Sequence, residues 1–381
     1  MVNRGPAAPE DREFAVVGAG LLGLATAREL AARGRDVVVF ERAEVGHRGG
    51  GSHGNARIFR LGYPDSGYVA MAKRARGLWR ELESAAGEQL LVPAGQLTFG
   101  AGLDDFRRAL TEAGAPCEWL PAGAAADRFP AVTAEGPCLY EPESAVIAAD
   151  RVLAALAAAV PEIRAGLAVS RLEADDGRVT LTAGEMSVRA RAAVVCAGHW
   201  TGPLLAGSGC AVPGTATLEQ VAYVAPARGP ADGQTSRPIF INFGDRSPYG
   251  LPVPGSGLYK VGVHPGGTPG RRGMVGPAIT PGDETGGEDP ALRAEIMSAV
   301  TEHLPGYDPT PVQSERCVYD NAPDEDFVVD RAGALVIGCG TSGHGFKFGP
   351  LLGEWLADLA VGVQPRDLPA RFGLSRFTSL C

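Results

Sequence analysis

Phe14-Ala15-Val16-Val17-Gly18-Ala19-Gly20-Leu21-Leu22-Gly23 decides the fold of this chain. Four apolar residues make a strand, and the glycines then make a turn that opens a helix. Gly18 permits the tight turn, Gly20 lets a pyrophosphate approach the backbone, and Gly23 lets helix and strand pack closely. The helix N-terminus offers that anion unpaired N–H groups and a partial positive charge. After an Ala/Leu-rich stretch at 21–32, Asp36-Val37-Val38-Val39-Phe40-Glu41 gives a second strand ending in an acid. A carboxylate there can accept hydrogen bonds from a ribose. Residues 13–41 therefore read as a βαβ dinucleotide-binding unit, and this context makes an otherwise weak glycine motif specific.

Beyond this unit, Gly and Ser crowd residues 42–56, a loop that ends in Arg57-Ile58-Phe59-Arg60. Val69, Met71, Ala72, Leu78 and Leu82 recur at helical spacing and predict an amphipathic helix over 66–86. A strand is expected at 93–100, helices at 104–113 and 148–160, and an apolar strand at 192–196 that enters a second glycine turn. Short alternating apolar runs over 216–264 predict an antiparallel sheet. Residues 265–290, rich in Gly, Pro and Asp, read as a surface excursion. A helix at 291–304, strands at 313–319 and 334–339, and a final helix complete the chain. With cofactor signals at both ends and a sheet-rich middle, the expected class is α/β with an α+β second domain. A Rossmann-like domain at 1–83, 151–215 and 325–381 is interrupted by an antiparallel-sheet substrate domain at 84–150 and 216–324.

Composition narrows the function. The 381 residues exceed what one core usually holds. A formal charge of −9, with 35 Lys and Arg dispersed, leaves no basic footprint for nucleic acid or anionic lipid. No apolar run approaches the roughly 20 residues of a membrane span. Residues 1–13 carry Pro and charge where a signal peptide needs an apolar core, and read as the disordered tail of a cytoplasmic protein. Cysteines at 117, 138, 196, 210, 317, 339 and 381 lack the close pairs of a zinc site or redox dithiol, so a reduced compartment and no metal are expected.

Further motifs lie toward the C-terminus: Arg316-Cys317-Val318-Tyr319, Pro323-Asp324-Glu325 and Ser342-Gly343-His344-Gly345-Phe346-Lys347-Phe348. Together with Gly51-Ser52-His53-Gly54-Asn55-Ala56-Arg57-Ile58-Phe59-Arg60 and Lys260-Val261-Gly262-Val263-His264, they carry a resemblance over nearly the whole length. The chain resembles the monomeric sarcosine oxidase and N-methyltryptophan oxidase family, within the D-amino acid oxidase superfamily.

That resemblance implies FAD as the dinucleotide. It places Gly18, Gly20, Gly23, Glu41, Arg42, Ser52, His53, Arg57, Gly343, His344, Gly345, Phe346 and Lys347 on the cofactor, with Cys317 joined to the flavin 8α-methyl by a thioether. Arg60 is the candidate for a substrate carboxylate, because a guanidinium is a planar two-pronged donor. Lys347 is its second anchor, and it also adds positive charge near the reduced flavin. Lys260 is assigned to oxygen activation. His264 and Tyr249 border the substrate amine, and Tyr319 and Ile241 shape the pocket. Lys260 and His264 stand four apart in a strand-like run, an even spacing that places both on one face.

The implied reaction removes a hydride equivalent from the carbon next to an unprotonated amine and passes it to FAD. Oxygen then takes the electrons to form hydrogen peroxide, and the imine hydrolyses in water. The expected partners are a small secondary amine carrying a carboxylate and molecular oxygen, acted on by a monomer. The family's paired histidine is a single His53 here, Asn55-Ala56 stand where Asp-Thr is usual, Asp320-Asn321 follow the cysteine motif, and Ile241 replaces a methionine of the substrate cage. A cyclic imino acid oxidase, for pipecolate, proline or piperideine-2-carboxylate, is therefore the alternative, with an FAD amino acid dehydrogenase behind it.

Overall fold

The computed structural model describes residues 8–175, 177–227, 237–244, 246–264, 278–279 and 287–377. The chain divides into two compact units. The first comprises Met1–His53, Leu153–Ala216 and Tyr319–Cys381, the second Gly54–Val152 and Thr217–Val318.

In the first unit, strand Glu10–Val17 lies between Met186–Val195 and Val37–Phe40, parallel to both. Leu335–Cys339 extends the parallel set beyond Met186–Val195, and an antiparallel edge of Arg178–Ala183 and Val169–Asp175 completes that side. Parallel strands are covered on both faces, which is why 14–17, 37–40 and 192–195 are unbroken apolar runs. Helix Leu21–Ala32 packs against helix Gly349–Val361, and small residues set their approach. A Cβ on Gly353 would stand 2.6 Å from Ala25 Cβ, and one on Gly349 would stand 2.7 Å from Leu21 Cδ2.

The second unit is built on a mixed sheet. Ile239–Phe243, Pro248–Pro252, Tyr259–Val263 and Thr215–Pro226 run as an antiparallel meander, while Ile239–Phe243 runs parallel to Gln96–Gly100. The strands of 216–264 pair antiparallel as expected, and Gln96–Gly100 joins them in parallel. Alternation sorts the residues of each strand to opposite faces. Leu97, Phe99, Ala222, Phe240, Tyr259, Val261 and Val263 join one core with helix Pro290–His303. Thr98, Ile241, Tyr249, Gly262, Lys260 and Tyr223 fall on the alternate positions, in register across neighbouring strands. A small sheet of Arg57–Phe59, Ala145–Ile147 and Leu91–Pro93 contributes Val146, which with Ala56 packs against Ile239 and Leu251.

Several expectations change. Residues 54–83 belong to the second unit, because Arg57–Phe59 pairs with Ala145–Ile147 and helix Ser66–Ala86 packs on helix Leu103–Glu112. Residues 319–324 belong to the first, where Asp320 accepts from Gly340 N–H at 2.6 Å and Ser342 N–H donates to Asp320 O at 2.8 Å. The expected strand at 93–100 is two strands broken at Gly95, whose φ of 67° favours glycine. Of the expected tail, residues 10–13 already belong to the first strand, and residues 1–7 lie outside the described residues. Most of the expected excursion at 265–290 also lies outside them, and Pro290 itself opens a helix that Asp289 caps. Cys210 is disulfide-bonded, which departs from a wholly reduced set, while Cys117, Cys138, Cys196, Cys317 and Cys339 are free thiols.

The helix crossing at Gly353 supplies a stability test. Gly353→Leu must push the two helices apart, because its Cβ would also meet the Ala25 carbonyl carbon at 2.8 Å. The expected loss is about 1–3 kcal/mol by urea denaturation; a variant as stable as the parent would show that this crossing does not constrain the unit.

Candidate functional site

In the first unit, the glycine turn is held by contacts that a side chain would break. A Cβ on Gly18, at φ 99°, would stand 2.4 Å from Cys196 O, and one on Gly23 would stand 1.9 Å from Gly18 O. Ser52 Oγ accepts from Leu21 N–H at 3.1 Å, and a Cβ on Gly20 would stand 3.1 Å from the same oxygen. Glu41 is buried and accepts from Ala19 N–H at 2.8 Å and Ala43 N–H at 3.0 Å, with His47 Nε2 at 3.4 Å. Burial opposes its ionisation, but the His47 and backbone hydrogen bonds outweigh it and hold the carboxyl below the usual carboxylate range. The Arg42 guanidinium lies over the Trp200 ring, 4.3 Å from its centroid. His53 is buried with Nδ1 2.8 Å from Gly50 O. A bare-backbone turn at a helix start and a fixed buried carboxylate past the second strand fit an adenine dinucleotide such as FAD.

The C-terminal motif closes into a loop of the same unit. Gly343, at φ 69°, lies under Tyr319, whose Cε2 would be 2.2 Å from an added Cβ, and a Cβ on Gly345 would stand 2.5 Å from Thr341 Cβ. His344 Nε2 lies 3.2 Å from Glu325 O, and its ring packs on Phe327. Phe346 and Lys347 open the short 3₁₀ turn Phe346–Phe348, and the buried Lys347 donates to His344 O at 2.9 Å. Asp320 is raised to about 6 by burial, partly offset by its bond from Gly340.

In the second unit, charges gather on the face of the sheet opposite the apolar core. Lys260 is 5% exposed, donates to Ala56 O at 3.1 Å, and sits across from Tyr223 in the strand ladder. Arg57 donates to the same Ala56 oxygen at 3.0 Å. Burial, then the Arg57 charge, lowers Lys260 to about 7, against the opposing pull of Cys317 and Glu315. The half-buried Cys317 thiol is raised by burial, although Arg57 and Lys260 favour its thiolate. Tyr249 pairs in register with Ile241, lies over Gly262, and stacks on His264 at 4.8 Å with 15° between planes. His264 lies one residue past the strand Tyr259–Val263, where its N–H donates to Ser247 O at 3.1 Å and its ring stacks on Tyr249, a residue of the Lys260 face. Arg60 is buried, with Tyr63, Phe243 and Phe106 centroids 4.6, 5.7 and 5.9 Å from its guanidinium carbon. Its charge opposes the upward push of burial on Glu141.

Four buried or half-buried groups were not foreseen. Glu141 accepts from Gly62 N–H at 2.7 Å and from Gln96 at 3.2 Å, and Tyr223 donates to Glu315 at 2.7 Å. Two signals could have found some of them. Thr217, Glu219 and Tyr223 put polar groups on one set of alternate positions of a largely buried strand, and lysine stands at only 73, 260 and 347 in a chain with 35 Lys and Arg. Among the described residues, no cluster of His, Cys, Asp and Glu could hold a metal ion, and no helix is long and apolar enough to cross a membrane.

Lys260 gives the protein a pH signature. Its folded value of about 7 lies below the ordinary lysine value of 10.5, so the unfolded chain binds the extra proton between those limits. Folding stability contributed by this site therefore rises with pH across that window and is lowest below it. Lys260→Met should flatten that rise and raise the melting temperature at pH 7, measured by calorimetry from pH 6 to 10; parallel curves for parent and variant would contradict the burial of this cation.

The model of the family described as FAD dependent oxidoreductase matches residues 13–359. Peroxisomal sarcosine oxidase of Mus musculus is 32% identical, with 96% of each chain covered. Monomeric sarcosine oxidase of Streptomyces avermitilis is 30% identical, with 91% of this chain and 92% of that one covered. Among solved structures, NikD, an unusual amino acid oxidase essential for nikkomycin biosynthesis, superposes with a TM-score of 0.79 at 26% identity over 96% of this chain and 97% of that one. With a matching family model over most of its length and relatives of this closeness, the chain belongs to the FAD dependent oxidoreductases and is an enzyme of that family.

Proposed function

We propose that this enzyme oxidises the C–N bond of a secondary amino acid of the sarcosine or N-methyl amino acid type, reduces oxygen to hydrogen peroxide, and leaves an imine that hydrolyses in water. The gathering of Arg57, Lys260, Tyr249, His264 and Cys317 in one unit carries this reading. Bound FAD would supply the chemistry, accepting a hydride equivalent from the carbon beside the amine and yielding its electrons to oxygen.

The protein's part is binding, orientation and field. Gly18, Gly20, Gly23, Glu41, Arg42, Ser52 and His53 of the first unit would hold the dinucleotide, with Gly343, His344, Gly345 and Phe346. Arg60, fixed among three aromatic rings, would meet the substrate carboxylate, and the resemblance alone keeps Lys347 as the second cation. The stacked pair Tyr249 and His264 would form a flat wall for the amine, and Tyr319 and Ile241 would limit its size. Lys260 would stabilise negative charge developing on oxygen. Cys317 would supply the sulfur of a thioether to FAD. The reading also has the enzyme working as a cytoplasmic monomer.

A second reading, a cyclic imino acid oxidase, is favoured by the branched Ile241 in register with Tyr249. Peroxide assays with sarcosine, N-methyl amino acids, L-proline and L-pipecolate separate the two, and no peroxide from any of them overturns both.

Denaturing the purified enzyme should leave the yellow chromophore on the peptide containing Cys317, and Cys317→Ala should release it; free FAD from the parent would remove the covalent link from this reading. In stopped-flow traces, Lys260→Met should slow flavin reoxidation by oxygen far more than flavin reduction by substrate. Equal slowing of both half-reactions would sink the assigned role and favour a dehydrogenase.

A further inference from the structure

A buried and a half-buried cation share one neutral acceptor in the second unit. Arg57 Nη1 and Lys260 Nζ donate to Ala56 O at 3.0 and 3.1 Å, so they stand close together, with Lys260 buried and Arg57 half-buried. Like charges this near in a poorly polarisable interior repel strongly, and a carbonyl dipole does not offset that. A nearby anion offsets that repulsion. The ionisable groups around Lys260 are Arg57 at the start of strand Arg57–Phe59, Tyr223 from strand Thr215–Pro226, and Glu315 and Cys317 from Tyr307–Asn321; behind them Glu219 acts on Cys317, and Tyr249 from Pro248–Pro252 acts on Tyr223.

Among these, Glu315 has both carboxylate oxygens fixed. Oε1 accepts from Gln313 Nε2 at 2.8 Å, and Oε2 accepts from Tyr223 OH at 2.7 Å. Tyr223 OH also lies 3.2 Å from Asn55 Oδ1, which ties the carboxylate to the turn that carries Arg57. Gly54 marks the point of convergence. A Cβ built there would stand 3.3 Å from Arg57 Nη1, 3.5 Å from Glu315 Oε2 and 3.9 Å from Lys260 Nζ. Guanidinium, carboxylate and ammonium therefore meet around one backbone position.

We propose that Glu315, clamped by Tyr223 and Gln313, is a positioning residue that holds Arg57 and Lys260 together on the Ala56 carbonyl and favours the charged form of the Lys260 ammonium. Its functional consequence rests on the reading of Lys260 as the group that meets oxygen. Tyr223 and Asn55 orient Glu315, and Glu315 acts through Lys260 without touching substrate. Neutralising Glu315 leaves two cations on one carbonyl, and the one that can shed its proton is lysine, since arginine does not.

The purified holoenzyme, grown on lysine carrying ¹³C at the ε-carbon, presents three lysine resonances, from 73, 260 and 347. That of Lys260 is assigned with Lys260→Met. In the parent the Lys260 resonance should titrate at about 7. In Glu315→Gln its midpoint should fall by about one unit, as expected for loss of a nearby opposite charge. Tyr223→Phe should move it in the same direction by less. A Lys260 midpoint unmoved in both variants overturns the proposal; if Glu315→Gln does not fold, Tyr223→Phe decides alone. Reoxidation of the dithionite-reduced parent by oxygen is followed separately against pH. An enzyme that does not react with oxygen sinks the oxidase reading, and the lysine spectra still decide the role of Glu315.

Discussion

Burial of positive charge is the constraint around which the second unit is arranged. Arg60 and Lys260 are buried, and Arg57 half-buried, on or beside the polar face of its sheet, where an uncompensated charge is costly. Each is compensated differently. Arg60 is boxed by aromatic faces and sits in the field of Glu141, while Arg57 and Lys260 share a carbonyl near a clamped carboxylate. Those compensations fix local geometry in turn. Glu141 takes the N–H of Gly62 and leaves no room for a Cβ there, which would meet its Oε1 at 2.4 Å. The polar face is thus rigid because its charges are buried, and rigidity is what a site needs in order to orient a small substrate.

The first unit meets the opposite problem, since it must expose backbone polarity to a ligand while staying closed. It does so by removing side chains. Gly18 and Gly23 let strand, turn and helix approach to distances that no Cβ permits, and the first helix N–H groups are left to face an anion. Gly343 repeats the device in the C-terminal loop, where its missing side chain is replaced by the Tyr319 ring. Glu41 is prevented from wandering by two backbone N–H groups and His47, which leaves it ionised and immobile.

What was legible in the sequence was local. The glycine turn, its flanking strands and Glu41 lie within about thirty residues and are set by backbone conformation, which sequence reports directly. Arg57, Arg60, Lys260 and Cys317 were found through short motifs, but their partners were not. Glu141 meets Gly62 and Glu315 meets Tyr223 across 79 and 92 residues, and no periodicity in either segment points to the other. The placement of residues 54–83 failed for the same reason. An amphipathic helix announces that it has an apolar face, and not which sheet will cover it. The break at Gly95 was hidden because both halves are good strands, joined to different sheets by one left-handed glycine.

Residue economy shows why Lys260 is a lysine. This chain places arginine almost everywhere that it needs a cation, and keeps lysine at only three positions, of which 260 and 347 are buried. Arginine would satisfy a structural demand for charge at 260 at least as well, because its guanidinium is less strongly hydrated and offers more donors to Ala56 O and its neighbours. What arginine cannot do is change protonation within the working range. Burial and Arg57 lower Lys260, Cys317 and Glu315 oppose them, and the balance stands at about 7, at the edge of neutrality. A compact ammonium so poised can stabilise negative charge on a small oxygen species, and its proton is held loosely enough to be given up. An arginine there would hold its proton throughout, so the choice of lysine speaks for a site in which the state of that proton matters.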